Sequence, residues 1–265
     1  NGLYLRYSLK DRWVKCVAKN YQDCVCKDSC VEFFVEPTGG KGYLNFEFNA
    51  CGVMLLYHVI DNTRTDHGFA KYHKVGEKEV NMAIETALNA KKEWENIPWV
   101  ERASILARIG QLIATKYRAR INASCMIRQS KNAFQAEIDA ACETIDFFRF
   151  NNYYAGNLYS EQPSSTPDQL NRAEYRPLEG FVMAVTPFNF TSIASNLNMT
   201  PVLMGNTTIW KPSTTALLSN YHLMQIFMEA GLPEGVINFL PGKGSLIGNI
   251  ALSNPNLAGI HFTGS

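Results

Sequence analysis

The chain has 265 residues and a formal net charge of +1, with 25 Lys or Arg against 24 Asp or Glu. This balance gives no reason to expect nucleic acid or an anionic membrane surface as a partner. No apolar run approaches the roughly 20 residues that span a bilayer. A hydrophobic content of 46% is typical of a globular protein that can bury a sizeable core.

The seven cysteines are unevenly placed, with five of them in the first fifth of the chain. We expect most of them to be small buried hydrophobes. Cys24, Cys26 and Cys30 could hold a metal, but their spacing is not the CxxC pair of a zinc knuckle, so no metal site is predicted. A disulfide framework needs an oxidising compartment, and nothing else in the sequence argues for one.

The first part of the chain, to about residue 74, is predicted to be β-structure. Residues 31–35 and 43–48 are rich in β-branched and aromatic side chains, and residues 37–42 between them carry a turn signal. The two runs therefore predict a hairpin. Residues 52–60 are the candidate for a third strand.

From about residue 76 the apolar period becomes helical. One stripe runs from Val80 to Trp94, and a second runs from Ile105 to Ile113. A third stripe is predicted within residues 133–150, and its aligned members are Ile138, Ala141, Cys142, Ile145 and Phe148. The polar residues 160–168 are expected to form a surface connection.

Beyond Gly180 the pattern alternates between short apolar runs and helical stripes. The predicted strands cover residues 181–185, 207–210, 236–240 and 258–262, and the predicted helices cover residues 192–203, 217–231 and 244–252. Alternation at this spacing predicts an α/β fold with an open, parallel, three-layer, Rossmann-like domain.

Polar residues and glycines follow each predicted strand. Asn189 follows the first strand, Lys211 ends the second, Gly242 and Gly244 follow the third, and Thr263 follows the fourth. Ligands of open α/β sheets bind outside the carboxyl ends of the strands, and glycines before a helix let a pyrophosphate approach. The arrangement predicts a dinucleotide site. Taken singly, the glycines could be a tight turn and the lysine a solvated strand end.

Several motifs resemble the N-terminal half of the aldehyde dehydrogenase superfamily. They are PFNF at 187–190, WKPS at 210–213, EAGLPEGVIN at 229–238 and HFTGS at 261–265. Residues 129–139, 145–150 and 175–180 are similar to the Δ1-pyrroline-5-carboxylate dehydrogenases within it. The resemblance covers residues 76–265. It implies NAD-dependent oxidation of L-glutamate γ-semialdehyde to L-glutamate in proline catabolism, by a homo-oligomer in the mitochondrial matrix or in a bacterial cytoplasm.

The resemblance also implies roles for single residues. Asn189 matches the family's oxyanion-hole Asn. Phe190 matches an aromatic residue of the substrate pocket, and Glu143 matches a carboxylate that faces the substrate's α-ammonium group. The positions that match cofactor contacts are Thr186, Pro187, Phe188, Lys211, Ser213, Gly242, Gly244 and Ser265.

Two departures from the family pattern bear on function. Thr214 stands where the superfamily often has a Glu that binds ribose hydroxyls, so some tolerance of NADP is expected. The family's nucleophilic Cys and general-base Glu follow the position that matches Ser265, and neither Cys125 nor Cys142 lies in the nucleophile motif. We therefore expect these 265 residues, as a fragment, not to turn over an aldehyde.

Residues 1–74 instead resemble the family 9-like carbohydrate-binding modules, which are β-sandwiches. The similar stretches are residues 28–35, 42–49 and 61–69. Trp13, Tyr43 and Tyr57 could stack on a sugar, although aromatic residues on strands more often belong to a core. This gives a domain boundary at 74/75 and two alternatives to the enzyme. One is a carbohydrate-binding module joined to a non-catalytic dinucleotide-binding fragment, and the other is a binding protein without activity. A mis-joined gene model would also explain the junction.

Overall fold

The computed structural model describes residues 30–35, 43–49, 54–59 and 72–264. By its internal contacts the chain divides into two units, residues 1–71 with 132–134, and residues 72–131 with 135–265. In the first unit, β1 (Cys30–Val35), β2 (Tyr43–Asn49) and β3 (Met54–Val59) form an antiparallel sheet in the order β1-β2-β3. The predicted hairpin and third strand are thereby confirmed.

Some features assigned to this first part lie outside the described residues or side chains. They are the Cys24, Cys26 and Cys30 cluster and the aromatic residues Trp13, Tyr43 and Tyr57.

The second unit begins with a helical segment. The elements of this segment are α1 (Glu77–Trp94), α2 (Trp99–Ala114), α3 (Arg118–Gln129), α4 (Ala133–Ala136), a π-helical turn (Glu137–Cys142) and α5 (Glu143–Ser160). The first two residues of α4 are the ones that group with the first unit. The two predicted stripes are confirmed, since Val80 and Trp94 of α1 and Ile109 and Ile113 of α2 are buried. The sequence interpretation had no separate helix at α3.

The third predicted stripe is wrong in part. Ile145 and Phe148 are buried as expected, but Ile138 is 45% exposed and Cys142 is only partly buried. The cause is the π-helical turn, in which hydrogen bonds span five residues and each residue turns through less than the usual angle. The turn rotates the preceding residues away from the face that a continuous α-helix would bury.

The rest of the second unit alternates strands and helices as predicted. The elements are β4 (Phe181–Val185), α6 (Thr191–Leu203), β5 (Thr207–Lys211), α7 (Leu217–Glu229), β6 (Ile237–Phe239), α8 (Gly244–Ser253) and β7 (Leu257–Phe262). The four strands are parallel in the order β6-β5-β4-β7. β6 is shorter than the predicted 236–240. Gly231, with φ of +96°, follows the C-terminus of α7 as the sequence suggested.

Helices cover both faces of this sheet. On one face Val80 and Ile84 of α1 and Ile247 of α8 pack against Phe181 and Ile209. On the other face a larger core includes Phe148 of α5, Phe227 of α7 and the Trp210 indole of β5, and the Trp210 and Phe227 rings lie 6.3 Å apart. The three-layer α/β prediction is confirmed.

The strand order places a topological switch point beside β4. From β4 the chain proceeds outward to β5 and β6, and then returns to pair β7 with the other side of β4. A crevice outside the carboxyl ends of the strands at such a point is where open α/β sheets bind ligands.

In the described ranges, no helix combines the length and apolarity that crossing a membrane requires.

Candidate functional site

The carboxyl ends of the four parallel strands lie at one edge of the sheet. The Thr186 amide donates a hydrogen bond to the Lys211 carbonyl at 3.2 Å, and the Thr263 amide donates to the Val185 carbonyl at 3.1 Å. The Leu240 amide donates to the Trp210 carbonyl at 2.8 Å. The structure therefore brings together the segments that follow β4, β5, β6 and β7.

The segment after β4 is held in place by a hydrogen bond to a side chain of β5. Thr186 is buried, and its Oγ1 accepts a hydrogen bond from Trp210 Nε1 at 2.9 Å. Its hydroxyl thus fixes the exit of β4, while Pro187 beside it is buried. Phe188 and Asn189 are exposed at the edge, and Phe190 caps the start of α6. The Asn189 amide is therefore accessible to a ligand.

Lys211 is a cation placed beside a helix N-terminus. Its side chain is partly buried, and burial lowers the pKa of its ammonium group. A methyl group added at Gly244, the first residue of α8, would lie 3.5 Å from Lys211 Cε and 3.8 Å from Nζ. α8 has no side-chain cap at its N-terminus. Uncapped amides and an adjacent ammonium group together favour an anion at this point.

Three further predicted cofactor residues are Gly242, Ser213 and Ser265. A Cβ added at Gly242 would lie only 2.8 Å from Val75 Cγ2, and the Val75 amide donates to the Pro241 carbonyl at 3.0 Å. A side chain at this position would therefore displace Val75, so close packing alone is a reason for a glycine here. Ser213 is partly buried, and its hydroxyl lies 3.2 Å from that of Thr215. Ser265 lies outside the described residues.

A second group of polar side chains surrounds the start of α6. Glu143, the first residue of α5, accepts a hydrogen bond from the hydroxyl of the buried Ser192. The Lys131 ammonium lies 4.1 Å from the centroid of the Phe190 ring and 2.6 Å from the Asp139 carboxylate. The two predicted substrate residues are thus both located at the start of α6: Phe190 is its N-cap residue, and Glu143 contacts Ser192 in its first turn.

The sequence analysis missed the partners of these two residues. Ser192 looked like an ordinary helix position, and Lys131 and Asp139 lie eight residues apart, a separation without meaning in a regular helix. Asp139 lies in the π-helical turn, and Lys131 lies in the loop before α4. The available signals were the density of charged and amide residues between 129 and 143 and the family resemblance of residues 129–139, which include Lys131 and Asp139.

The two cysteines of this unit are poor nucleophiles. Burial raises the pKa of the Cys125 thiol, which donates a hydrogen bond to Gln129 Oε1 at 3.1 Å. Burial and the neighbouring Glu137 carboxylate raise the pKa of the Cys142 thiol. Reactive cysteines have lowered pKa values, so neither thiol is suited to attack a carbonyl.

The edge of the sheet at the carboxyl ends of the strands carries groups that suit a dinucleotide. An uncapped helix N-terminus can accept a pyrophosphate, and the Lys211 ammonium lies close enough to add a positive charge. The Ser213 and Thr215 hydroxyls supply further donors. In the described part of the chain no group of His, Cys, Asp and Glu side chains is arranged to hold a metal ion.

Comparison with known proteins gives a family and several relatives. The model of the aldehyde dehydrogenase family matches residues 56–265. The mitochondrial delta-1-pyrroline-5-carboxylate dehydrogenase of Emericella nidulans is 50% identical over 201 residues, which are 75% of this chain and 35% of that protein. Relatives from Dictyostelium discoideum and Homo sapiens carry the same name.

Solved structures agree with this result. The Mycobacterium tuberculosis Delta-pyrroline-5-carboxylate dehydrogenase bound with NAD has a TM-score of 0.71 at 51% identity, covering 72% of this chain and 36% of that one. The glyceraldehyde-3-phosphate dehydrogenase GapN of Methanocaldococcus jannaschii, complexed with NADP, has a TM-score of 0.65 at 26% identity. The match covers 75% of this chain and 44% of that one.

This chain spans little more than a third of the length of the curated relatives it matches. The family model nevertheless covers all the elements of the parallel sheet and the edge at which Lys211 and Gly244 meet. The chain belongs to the aldehyde dehydrogenase family.

Proposed function

We propose that the edge formed by β4, β5, β6 and β7 binds NAD. Lys211, Ser213 and the N-terminus of α8 at Gly244 would hold its phosphate and ribose groups, with the segment from Thr186 to Phe188 forming the adjoining wall. When bound, NAD supplies the oxidising power for an aldehyde oxidation by accepting a hydride. The observation that carries this proposal is the position of the Lys211 ammonium beside the uncapped α8, 3.8 Å from a methyl group placed at Gly244.

We further propose that the whole protein oxidises L-glutamate γ-semialdehyde to L-glutamate. The identity of about half the aligned residues to delta-1-pyrroline-5-carboxylate dehydrogenases supports this substrate. The exposed Asn189 would donate its amide hydrogen bond to the oxygen of the attacked aldehyde. The nucleophile and the general base are expected in the portion of the relatives that these 265 residues do not match.

The geometry around α6 supports a pocket for an amino-acid aldehyde. The Glu143 carboxylate would accept a hydrogen bond from the substrate's α-ammonium group, with Ser192 keeping that carboxylate in place. Phe190 would pack on the aliphatic carbons, and its ring is positioned by the Lys131 ammonium. A carboxylate from α5 and an aromatic ring at the start of α6 would match the charged group and the carbon chain of such a substrate.

Calorimetric titration of this chain with NAD tests the cofactor site directly. We expect saturable binding that weakens at least tenfold in Lys211→Ala and is unchanged in Lys92→Ala. Lys92 is the matched control because it is an exposed lysine of α1 that contacts Asn89 at 3.1 Å. Absence of NAD binding by a chain that shows a cooperative thermal transition would refute the proposal.

We also propose that residues 1–74 form a domain distinct from residues 75–265. The antiparallel order β1-β2-β3 supports a β-structured domain, and the carbohydrate-binding type is proposed from the resemblance of residues 28–35, 42–49 and 61–69. Retention of the chain on a cellulose or xylan column, lost on removal of residues 1–74, is the expected result.

The mitochondrial names of eukaryotic relatives support a mitochondrial location if this chain comes from a eukaryote. We also propose that the whole protein forms a homo-oligomer.

A further inference from the structure

The exposed Asn189 lies on a short stretch of chain that is anchored at both ends. Before it, the buried Thr186 accepts a hydrogen bond from Trp210 Nε1 at 2.9 Å. After it, Thr191 is the first residue of α6 and is fully buried. Only a few residues separate these two anchors. The groups that hold Thr191 therefore limit how far the Asn189 side chain can move.

The Thr191 hydroxyl is held by side chains from two other helices. Its Oγ1 accepts a hydrogen bond from Gln129 Nε2 at 2.8 Å and donates to Ser219 Oγ at 3.1 Å. Ser219, in α7, donates in turn to the Ala216 carbonyl at 3.0 Å. The Cys125 thiol donates to Gln129 Oε1 at 3.1 Å, which directs Nε2 of that amide towards Thr191. The hydroxyls of Thr191 and Ser219 thus each donate and accept, as buried polar groups require.

The same end of α3 also contacts the residue before Thr191. Gln129 is the last residue of α3, and the Lys131 ammonium lies 4.1 Å from the centroid of the Phe190 ring. Ser130, between them, has the left-handed conformation, with φ of +55° and ψ of +35°. A residue with a Cβ adopts this conformation at an energetic cost, and such residues are concentrated at functional sites. Residues 129–131 therefore contact two consecutive residues at the start of α6.

These contacts take the place of an ordinary helix cap. Ser, Thr, Asp or Asn usually fixes the entry to a helix through its own side chain, but the N-cap residue of α6 is Phe190, which makes no such hydrogen bond. An amide that stabilises an oxyanion is effective only if it is already in place before charge develops on the oxygen.

We propose that Gln129 and Ser219, acting through the Thr191 hydroxyl, are positioning residues that hold the Asn189 amide where the oxygen of the attacked aldehyde becomes negative. The inference rests on the role proposed above for Asn189 and adds the residues that fix it. Gln129, Ser219 and Thr191 do not themselves touch the substrate. Their loss should therefore act on the reaction only through Asn189.

NMR relaxation of this chain tests the positioning without any need for activity. Thr191→Val removes the hydroxyl at constant size, whereas Thr191→Ser keeps it. We expect the backbone order parameter of Asn189 to be about 0.85 in the unmodified chain and in Thr191→Ser, and below about 0.6 in Thr191→Val. Thr86→Val is the matched control, because Thr86 is exposed on α1 and its hydroxyl donates only to the Met82 carbonyl at 2.7 Å.

An order parameter of Asn189 that is unchanged in Thr191→Val, or that falls equally in Thr191→Ser, would overturn the inference. Thermal transitions of each variant show whether it folds. If Thr191→Val has no cooperative transition, Gln129→Leu and Ser219→Ala provide the same test, since each removes one partner of the Thr191 hydroxyl. Either should lower the order parameter of Asn189, and no change in both would also overturn the inference.

A double-mutant cycle in the whole protein tests the consequence for catalysis. Asn189→Ala should lower kcat for aldehyde oxidation by about a hundredfold or more. Thr191→Val should lower it about tenfold when Asn189 is present and by less than about twofold in the Asn189→Ala background. An equal loss in both backgrounds would show that Thr191 acts on something other than Asn189, and would overturn the inference.

The two measurements separate this inference from the proposed function. A whole protein that does not oxidise the aldehyde would overturn the function, and with it the catalytic role of the positioning, whatever the order parameters show. An active protein in which Asn189→Ala lowers kcat, but in which Thr191→Val changes neither kcat nor the order parameter of Asn189, would overturn the inference alone and leave the function standing.

Discussion

Two glycines of α8 allow nucleotide binding to be separated from helix stability. Gly244 opens the helix and Gly248 lies one turn further on, where an added methyl group has no neighbour within 4 Å. A methyl group at Gly244 meets only the Lys211 side chain, at an ordinary contact distance of 3.5 Å. Alanine is therefore sterically acceptable at both positions in the free protein.

Replacing either glycine by alanine should stabilise the helix. Gly costs a helix roughly 0.5–1 kcal/mol relative to Ala, and 1 kcal/mol shifts Tm by about 2–4 °C in a domain of 150–250 residues. We expect Gly248→Ala to raise Tm by about 1–4 °C, and Gly244→Ala, at the helix end, to raise it less or leave it unchanged.

The two variants should differ in binding. A phosphate at the α8 N-terminus must approach its amides closely, and a methyl group at Gly244 occupies part of that approach. We expect Gly244→Ala to weaken NAD at least tenfold, which is about 1.4 kcal/mol, and Gly248→Ala to leave the Kd within twofold. Calorimetric titration and differential scanning calorimetry on the same samples measure both quantities. Unchanged NAD affinity in Gly244→Ala, or equal weakening in both variants, would refute the placement of the phosphates at α8.

Three further changes test the fold around the site. Gly180→Ala should lower Tm by 4 °C or more, about 2–3 kcal/mol, because φ is +103° and the new methyl group would lie 1.9 Å from a backbone oxygen; an unchanged Tm would contradict this. Trp94→Phe should cost about 1–3 kcal/mol in urea unfolding, since it removes the donor to a buried carbonyl at 2.9 Å, and a smaller loss would mean that water replaces the indole. The Arg118 hydrogen bond holds the pKa of Glu137 below its ordinary value, so its stabilisation is complete above about pH 4.3 and lost as pH falls through the lowered pKa. Urea midpoints measured against pH should fall less steeply below pH 4.3 in Glu137→Gln, and identical slopes would refute the linkage.

The parallel sheet could be predicted because its signals are local. Residues 181–185 form an apolar run that matches β4 at both ends, and β5 and β6 are each followed by a predicted helix, α7 and α8. The order β6-β5-β4-β7 depends on pairing between distant segments and could not be derived from these signals alone. The edge of the sheet was predictable nonetheless, because parallel strands share the end at which a ligand binds.

The π-helical turn is the point at which prediction from sequence failed for a physical reason. Its residues have ordinary helix propensities, so their local pattern does not distinguish a π-helical turn from a regular one. The turn leaves Ile138 exposed and directs Asp139 towards Lys131. The family resemblance therefore pointed to Glu143 and Phe190 as candidate site residues, but the sequence did not show that Ser192 and Lys131 contact them.

Lys211 illustrates which features of the site can be predicted from local sequence and which depend on the tertiary structure. Its position at the end of β5 follows from the strand that precedes it, but a lysine there could equally be a solvated residue paired with a carboxylate. Its proposed role as a cofactor ligand rests on tertiary features: burial has taken it partly out of water, no described carboxylate pairs with it, and α8 begins beside it. A charge in that state is costly unless an anion joins it. The free protein therefore carries an energetic preference for a bound phosphate, which calorimetry of the Lys211→Ala variant would reveal as weaker NAD binding together with an equal or higher Tm.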